Sequence, residues 1–222
     1  MDAVLAAIFM VFLSDCNNND MRSTENQQAT IIDAVRNNQL SVVETELKKG
    51  VDVNTANKRR QSLLLIATRD NQGEMAKLLV THGANVNQQD DQLDSPFLYA
   101  GASGYTELVK LFLNNDARFD VFNRYNGSAL IPACERAHLG VVKLLANTKG
   151  FPIDHVNRLG WTALMEAVIL GNGTHKYVEV VQVLVDAGCN INIPDSDGFT
   201  ALQHSKTRGY TAIASILEKK KL

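Results

Sequence analysis

The sequence is poor in the residues on which small disulfide-rich, metal-binding or nucleic-acid-binding domains depend. It has four prolines, one tryptophan and 6% aromatic residues among 222 residues. Its three cysteines, Cys16, Cys134 and Cys189, are too few and too far apart for a disulfide framework or a zinc site. A net charge of −2 gives no basic field of the kind that nucleic acid requires. We therefore expect no cofactor, no metal and no nucleic-acid partner.

Catalytic motifs are also missing from the sequence. It has no Gly-x-Ser-x-Gly elbow, no phosphate-binding loop with lysine and no His-Glu-x-x-His pair. Cys134 precedes His138 by four residues, but it occupies a small-residue position on an apolar helix face, where a buried thiol is expected. His155 and His175 have no further ligands at metal-binding spacing. We predict that the protein is not an enzyme.

A sequence pattern recurs along the chain at an interval near 33 residues. An apolar residue followed by Asn or Asp ends a helix-like run and precedes a polar turn and a Ser/Thr start. A period of this length indicates stacked helix pairs, in which each unit packs only on its neighbours. The recurring pairs lie at 53–54, 86–87, 119–120, 153–154 and 191–192, which are 33, 33, 34 and 38 residues apart.

These units resemble ankyrin repeats. The similarity rests on starts such as Gly160-Trp161-Thr162-Ala163-Leu164 and on endings such as Gly83-Ala84-Asn85-Val86-Asn87. It covers 29–222 and implies an all-α solenoid of about six helix-turn-helix units joined by β-hairpin-like turns. The run 133–139, Gly160-Trp161-Thr162 and an insertion in repeat five are similar to enterobacterial YahD-type ankyrin proteins, which implies a bacterial origin. The expected units are 29–54, 55–87, 88–120, 121–154, 155–192 and 193–222.

Three departures from the ankyrin pattern have structural consequences. Pro132 lies one helical turn further in than usual, so we expect that helix to begin irregularly. Residues 171–176 are extra in repeat five, and their Gly and Asn content predicts a loop. The ankyrin histidine that holds each turn is absent, which implies weaker bracing of the turns. Its positions carry Leu65, Leu98, Ile131, Met165 and Gln203.

The first 28 residues form a segment of a different kind. An uncharged apolar run at 3–13 is followed by Cys16 and by a polar stretch, an order that resembles a bacterial lipoprotein signal. The resemblance implies lipid attachment at Cys16 and a place in the cell envelope or periplasm, with the membrane reached only through that lipid. Asp15 and Asp2 depart from the signal pattern. Export without lipid and an unprocessed cytoplasmic N-terminus are the alternatives.

Ankyrin arrays usually bind partners with their hairpin tips and inner helices, which line a concave face. Trp161 and Phe199 are large aromatics at this rim and are typical of interface anchors, although each could instead pack across its own hairpin. The tip charges alternate in sign, which favours a protein over nucleic acid, unless neighbouring tips pair with each other. The predicted partner-binding residues are Arg59, Asp94, Tyr99, Arg124, Tyr125, Glu135, Arg136, Arg158, Trp161, Met165, Glu166 and Phe199.

The most direct functional interpretation is a monomeric, non-enzymatic scaffold that binds another protein through the concave face of repeats three to six. A preformed surface of this kind loses little entropy on docking. Two alternatives remain open at the level of sequence. The protein could be an envelope-tethered lipoprotein that protects or inhibits a periplasmic protein, or it could be a structural spacer or homo-oligomer.

Overall fold

The chain folds into a row of antiparallel helix pairs. The computed structural model describes residues 26–220, and within that range the regular elements are all helices. The predicted segment 1–28 and Cys16 lie outside the described residues, except for 26–28, which begin α1. The helices are α1 (26–36), α2 (Leu40–Lys48), α3 (Leu63–Arg69), α4 (Gly73–Thr81), α5 (Pro96–Ser103), α6 (Thr106–Leu113), α7 (Leu130–Glu135), α8 (Leu139–Ala146), α9 (Ala163–Ile169), α10 (His175–Asp186), α11 (Ala201–Thr207) and α12 (Thr211–Lys220).

The helices stack in two layers. In the inner layer α3, α5, α7, α9 and α11 contact one another in chain order, and in the outer layer α2, α4, α6, α8, α10 and α12 do the same. From α3 onwards each inner helix also packs on the outer helix that follows it. This arrangement confirms the predicted all-α solenoid. The exact unit boundaries stay predictions, because the described helices and hairpins do not define a single point of division.

A small residue in each inner helix lets the two layers approach closely. Ala67, Ala100, Ala133 and Ala167 are at equivalent positions and have no exposed surface, and Ser205 takes the same place in α11. Larger side chains of both layers are buried in one continuous hydrophobic core. The most bulky of these fully buried side chains include Leu79, Phe112, Leu145 and Leu184.

Each hairpin between units is closed by one Asn or Asp side chain. Its Oδ1 accepts hydrogen bonds from the backbone N–H groups two and four residues ahead, at 2.8 to 3.1 Å. The residue three ahead has a positive φ in every hairpin. The expected weakening from the absent histidine stays a prediction, but these Asn and Asp side chains brace every hairpin independently of that position. They are Asn57, Asp90, Asn123, Asn157 and Asp195.

Helix α7 begins irregularly, as Pro132 predicts. In the other inner helices a Ser or Thr caps the N-terminus, and the residue four positions later donates its N–H to the carbonyl of that cap. Pro132 occupies this fourth position in repeat four and has no N–H to donate. The helix therefore begins only at Leu130, behind Ala129, without a side-chain cap.

The insertion in repeat five divides into a loop and a helical extension. The prediction of a loop over 171–176 was partly wrong, because α10 already begins at His175 and is 12 residues long. The loop proper is clamped between two tyrosines. The Tyr210 hydroxyl donates to the Gly171 carbonyl at 3.1 Å. A Cβ on Gly171 would lie 2.6 Å from the ring of Tyr177, so only glycine fits there.

We expect Asn123→Ala to destabilise the fold more than a surface substitution does. The change leaves the backbone N–H groups of Tyr125 and Gly127 without their acceptor, and the adjoining α7 has no side-chain cap to compensate. The loss of unfolding free energy should be about 1–3 kcal/mol, measured by urea denaturation. Asn123→Asp keeps the acceptor and is the control. Equal losses in both variants would contradict the role of Oδ1.

Candidate functional site

The exposed apolar side chains concentrate on the hairpin side of repeats three to six. Among the described residues, seven large apolar side chains are exposed, and five of these belong to or adjoin the hairpins. Single exposed apolar residues are common on any protein, but a row of them marks an interaction surface. We call this row the tip ridge. It consists of Leu93, Tyr125, Val156, Leu159 and Phe199.

The hairpins of repeats four and five, 123–127 and 157–161, are joined to each other, and we call them the paired tips. The Arg158 backbone N–H donates to the Tyr125 carbonyl, and its Nη1 donates to the Arg124 carbonyl, both at 2.9 Å. Asn126 Nδ2 donates to the Val156 carbonyl at 3.4 Å. These bonds make the paired tips one rigid surface on which Arg124, Tyr125 and Arg158 of the predicted site lie together.

Beneath the paired tips an aromatic contact adds rigidity. The rings of Phe122 and His155 stack with centroids 4.1 Å apart and planes 4° from parallel. His155 Nε2 lies 2.7 Å from the Asn126 carbonyl. His155 is therefore part of the hairpin packing, which accounts for its position without a metal.

The predicted residues of repeat three form a separate group with a neighbour that the sequence analysis missed. The Arg69 guanidinium lies 4.7 Å from the centroid of the Tyr99 ring and 3.9 Å from the Asp94 carboxylate. Burial and the charge of Asp90 raise the pKa of Asp94, while Arg124 and Arg69 oppose this rise. Asp94 and Tyr99 are half-buried and contact Arg69 of the preceding repeat, and their place in a binding surface stays a prediction.

Met165 and Glu166 do not belong to the exposed surface, and the prediction was wrong in placing them there. Met165 is 1% exposed and Glu166 is 4% exposed, because α9 is covered by α7, α10 and α11. Glu166 Oε1 accepts a hydrogen bond from Asn157 Nδ2 at 2.8 Å. Burial and the charge of Glu135 raise the pKa of Glu166 to about 7, against the opposing effect of the Asn157 hydrogen bond.

The other predicted residues differ in how open they are. Trp161 and Glu135 are half-buried, and Trp161 packs against the hydrophobic core, so part of its surface stays open. Arg136 is exposed, and its Nη1 donates to the Ala102 carbonyl of the preceding repeat. Phe199 is half-exposed at one end of the tip ridge, and Arg59 is exposed at the other end of the array.

A histidine–carboxylate pair in the last hairpin was missed by sequence reasoning. His204 Nε2 lies 2.6 Å from Asp195 Oδ2, and the Phe199 ring packs beside the imidazole with centroids 5.8 Å apart. The hydrogen bond from His204 lowers the pKa of Asp195. The spacing of nine residues was the available signal, because Asn157 and Glu166 make the equivalent contact one repeat earlier.

The described residues show little that could do chemistry on a substrate. Cys134 and Cys189 are buried; burial raises the pKa of both thiols, that of Cys189 to about 12, so neither is poised as a thiolate. Within 26–220 no three His, Cys, Asp or Glu side chains are grouped as a metal ion would need. No helix in the same range is long and apolar enough to cross a membrane.

Comparison with known proteins identifies the class that this fold defines. The family model described as "Ankyrin repeats (3 copies)" matches residues 5–90, 31–123 and 97–195, and the chain belongs to the ankyrin-repeat family. Members of this family are generally scaffolds for protein–protein interaction, and the fold is typically non-enzymatic.

Individual relatives include bacterial ankyrin proteins. The putative ankyrin repeat protein YahD of Escherichia coli K12 is 40% identical over 95 residues, which are 42% of this chain and 47% of that protein, so the match spans about half of its length. This finding confirms the resemblance drawn from the sequence.

Solved structures agree over most of the array. An ankyrin repeat domain from Acinetobacter baumannii AYE is 41% identical with a TM-score of 0.84, covering 86% of this chain and 97% of that one. The ankyrin repeat protein EF0377 is 36% identical with a TM-score of 0.83, covering 86% and 96%. The ankyrin domain of Bcl-3, of the IkappaB family, has a TM-score of 0.76 and covers 86% and 85%, but at 24% identity it shows the fold alone.

We expect Glu166→Gln to stabilise the protein at about pH 8.5 and to have little effect at about pH 4.5. The buried carboxyl has a pKa of about 7 against an ordinary value of 4.5, so the stability present below 4.5 is lost as the pH rises through 7. A glutamine avoids the buried charge and still accepts from Asn157. The gain at the higher pH should be on the order of 1–3 kcal/mol.

The measurement is chemical denaturation at both pH values. Glu74→Gln, on the exposed face of α4, is the matched control and should change the unfolding free energy by less than about 0.5 kcal/mol at either pH. A Glu166→Gln variant that is equally destabilised at both pH values would show that the carboxylate is needed in its charged form.

Proposed function

We propose that this protein binds another protein through the tip ridge and the adjoining inner helices of repeats three to six. The observation that carries the proposal is the concentration of exposed apolar side chains on these hairpins. Tyr125, Leu159 and Phe199 are about half exposed, so much of their apolar surface stays in water and does not contribute to the stability of the fold. Burial of this surface by a partner would make a favourable contribution to the free energy of binding.

The rigidity of the tips supports the same proposal. The side-chain braces within each hairpin and the hydrogen bonds between the paired tips hold the exposed residues before a partner arrives. Binding then orders few further groups, so more of the contact energy appears as affinity. Exposed apolar side chains beside charged ones suit a protein surface or a segment of chain better than a small metabolite.

Replacing Tyr125 and Leu159 by serine should weaken partner capture by roughly tenfold to a hundredfold, because two central apolar anchors are lost. Immobilised wild type and variant are compared by quantitative mass spectrometry of proteins retained from the native cell, and each retained protein is then purified and titrated. The thermal stability of the variant should stay close to that of wild type, since both side chains are half exposed.

The matched control for this experiment is Leu40→Ser. Leu40 is an exposed leucine at the start of α2, away from the hairpins of repeats three to six. It should capture the same proteins as wild type. Equal capture by the Tyr125/Leu159 variant and wild type would contradict the role of the tip ridge.

A second proposal, on location, rests on the N-terminal sequence alone. The apolar run 3–13 followed by Cys16 favours tethering to the cell envelope, where a protective or inhibitory role toward a periplasmic protein would fit the scaffold. Intact-mass measurement of the protein from its native cell tests this. A species that begins at Cys16 and carries lipid is expected, and a species that retains Asp2 and the apolar run would contradict the tether.

A further inference from the structure

The paired tips carry an unusual combination of charge and apolar surface. Arg124 and Arg158 are exposed at equivalent positions of neighbouring hairpins, and each is followed by an exposed apolar residue, Tyr125 or Leu159. The Arg124 guanidinium lies 4.9 Å from the centroid of the Tyr125 ring, which directs it along the surface rather than away from it. Two cations and two apolar side chains thus form one continuous patch.

Neither arginine makes a close ion pair, although the charges of Asp94 and Asp90 act on Arg124 from the preceding hairpin. Among the described residues no carboxylate oxygen lies within 4.0 Å of the guanidinium of Arg124 or Arg158, whereas Arg36, Arg69 and Arg118 each have one. The Arg158 Nη1 group donates its hydrogen bond to a backbone carbonyl, that of Arg124. Arginine is the side chain that interfaces use most often to bind carboxylates, because its planar fork accommodates two oxygens.

The hairpins on either side carry the opposite charge. Asp91 is exposed at the preceding tip, in the position that Arg124 and Arg158 occupy on theirs. Asp197 is exposed on the following tip. An acidic partner is therefore attracted over two repeats and repelled beyond them. This alternation limits the match to a short acidic stretch and disfavours a continuous polyanion.

The repeat spacing selects the shape of such a stretch. Neighbouring packed helices lie about 8–10 Å apart, so the backbones of equivalent residues on adjacent hairpins are separated by roughly that interval. An extended chain of polyproline II type rises about 3.1 Å per residue and has three residues per turn, so its side chains return to one side every ~9 Å. Carboxylates three residues apart on such a chain match the two arginines.

We propose that the paired tips bind an extended acidic segment of a partner protein, in which two carboxylates three residues apart pair with Arg124 and Arg158 and a neighbouring apolar side chain packs on Tyr125 and Leu159. This inference rests on the proposed function and specifies the chemistry of the partner. The acidic groups align the segment on the two hairpins and speed its association, while the apolar contact supplies most of the affinity.

Selection from a displayed library of random peptides of about 12 residues tests the proposal, with the immobilised full chain as bait. Enriched sequences should contain two Asp or Glu residues three apart with an adjacent apolar residue. A synthetic enriched peptide, followed by fluorescence anisotropy, should bind Arg124→Glu at least about tenfold more weakly than wild type. Binding should also weaken as ionic strength rises from about 0.05 to 0.5 M.

Several variants keep the charge effect separate from folding. Arg124→Glu alone is the primary variant, because the Arg124 side chain makes no hydrogen bond to the backbone, whereas Arg158 Nη1 helps to join the tips. Lys77→Glu places new negative charge on an exposed position of the outer helix α4, changes the net charge by the same amount as Arg124→Glu, and is the control for net charge. The control should bind the peptide like wild type.

The outcomes separate this inference from the proposed function. Two results would overturn the inference and leave the proposed function standing, provided that the peptides lose binding to the Tyr125/Leu159 serine variant. One is that the enriched peptides lack acidic pairs, and the other is that they bind Arg124→Glu as they bind wild type. Enrichment that is indifferent to the serine variant, or no enrichment at all, would contradict both. Binding of labelled single-stranded oligouridylate to wild type, lost in Arg124→Glu, would replace the acidic peptide with a nucleic acid as occupant.

Discussion

Burial between neighbours is the constraint on which the structure depends. A single helix pair of this protein cannot cover its own apolar faces, since α9, for example, is enclosed only by α7, α10 and α11 together. Each unit is stable because the next one covers it, so the array behaves as a one-dimensional stack. Small residues such as Ala133 and Ala167 set the approach of the two layers. The regular stack then determines the interval at which every hairpin emerges.

The hairpins emerge from the stack at this regular interval, and their outward residues together form a surface. One Asn or Asp side chain in each hairpin accepts two backbone N–H groups, so the turn is held locally and its outward residues are free to vary. Variation at those positions changes the surface without changing the fold, which is how one repeat architecture presents different chemistry to different partners. In this chain the variable positions of repeats four and five carry cations beside apolar side chains, and the flanking tips carry carboxylates.

Close packing of the inner helices also buries a carboxyl group. Glu166 occupies a position that is covered by its neighbours, and its single hydrogen bond to Asn157 does not offset the loss of solvent and the nearness of Glu135. Asp195 and His204 occupy the same pair of positions in the last repeat, where the site is more open, and the hydrogen bond to His204 lowers the pKa of Asp195. The same pair of positions thus raises the pKa of a carboxyl in one repeat and lowers it in another, because the residue types and their coverage both differ.

The sequence by itself determined the class of fold, the helix pairs and the irregular start of α7, because these follow from a 33-residue period, apolar periodicity and the missing N–H of Pro132. The Asn or Asp that recurs at every hairpin is also visible in the sequence, but its bracing role became clear only from the structure. Only the tertiary structure decided which inner-helix residues are open. Met165 and Glu166 lie on a short helix covered by three others, and burial of that kind depends on distant neighbours. The contact of Arg69 with Tyr99 and the joining of the paired tips likewise depend on residues about one repeat apart, which come together only when the units stack.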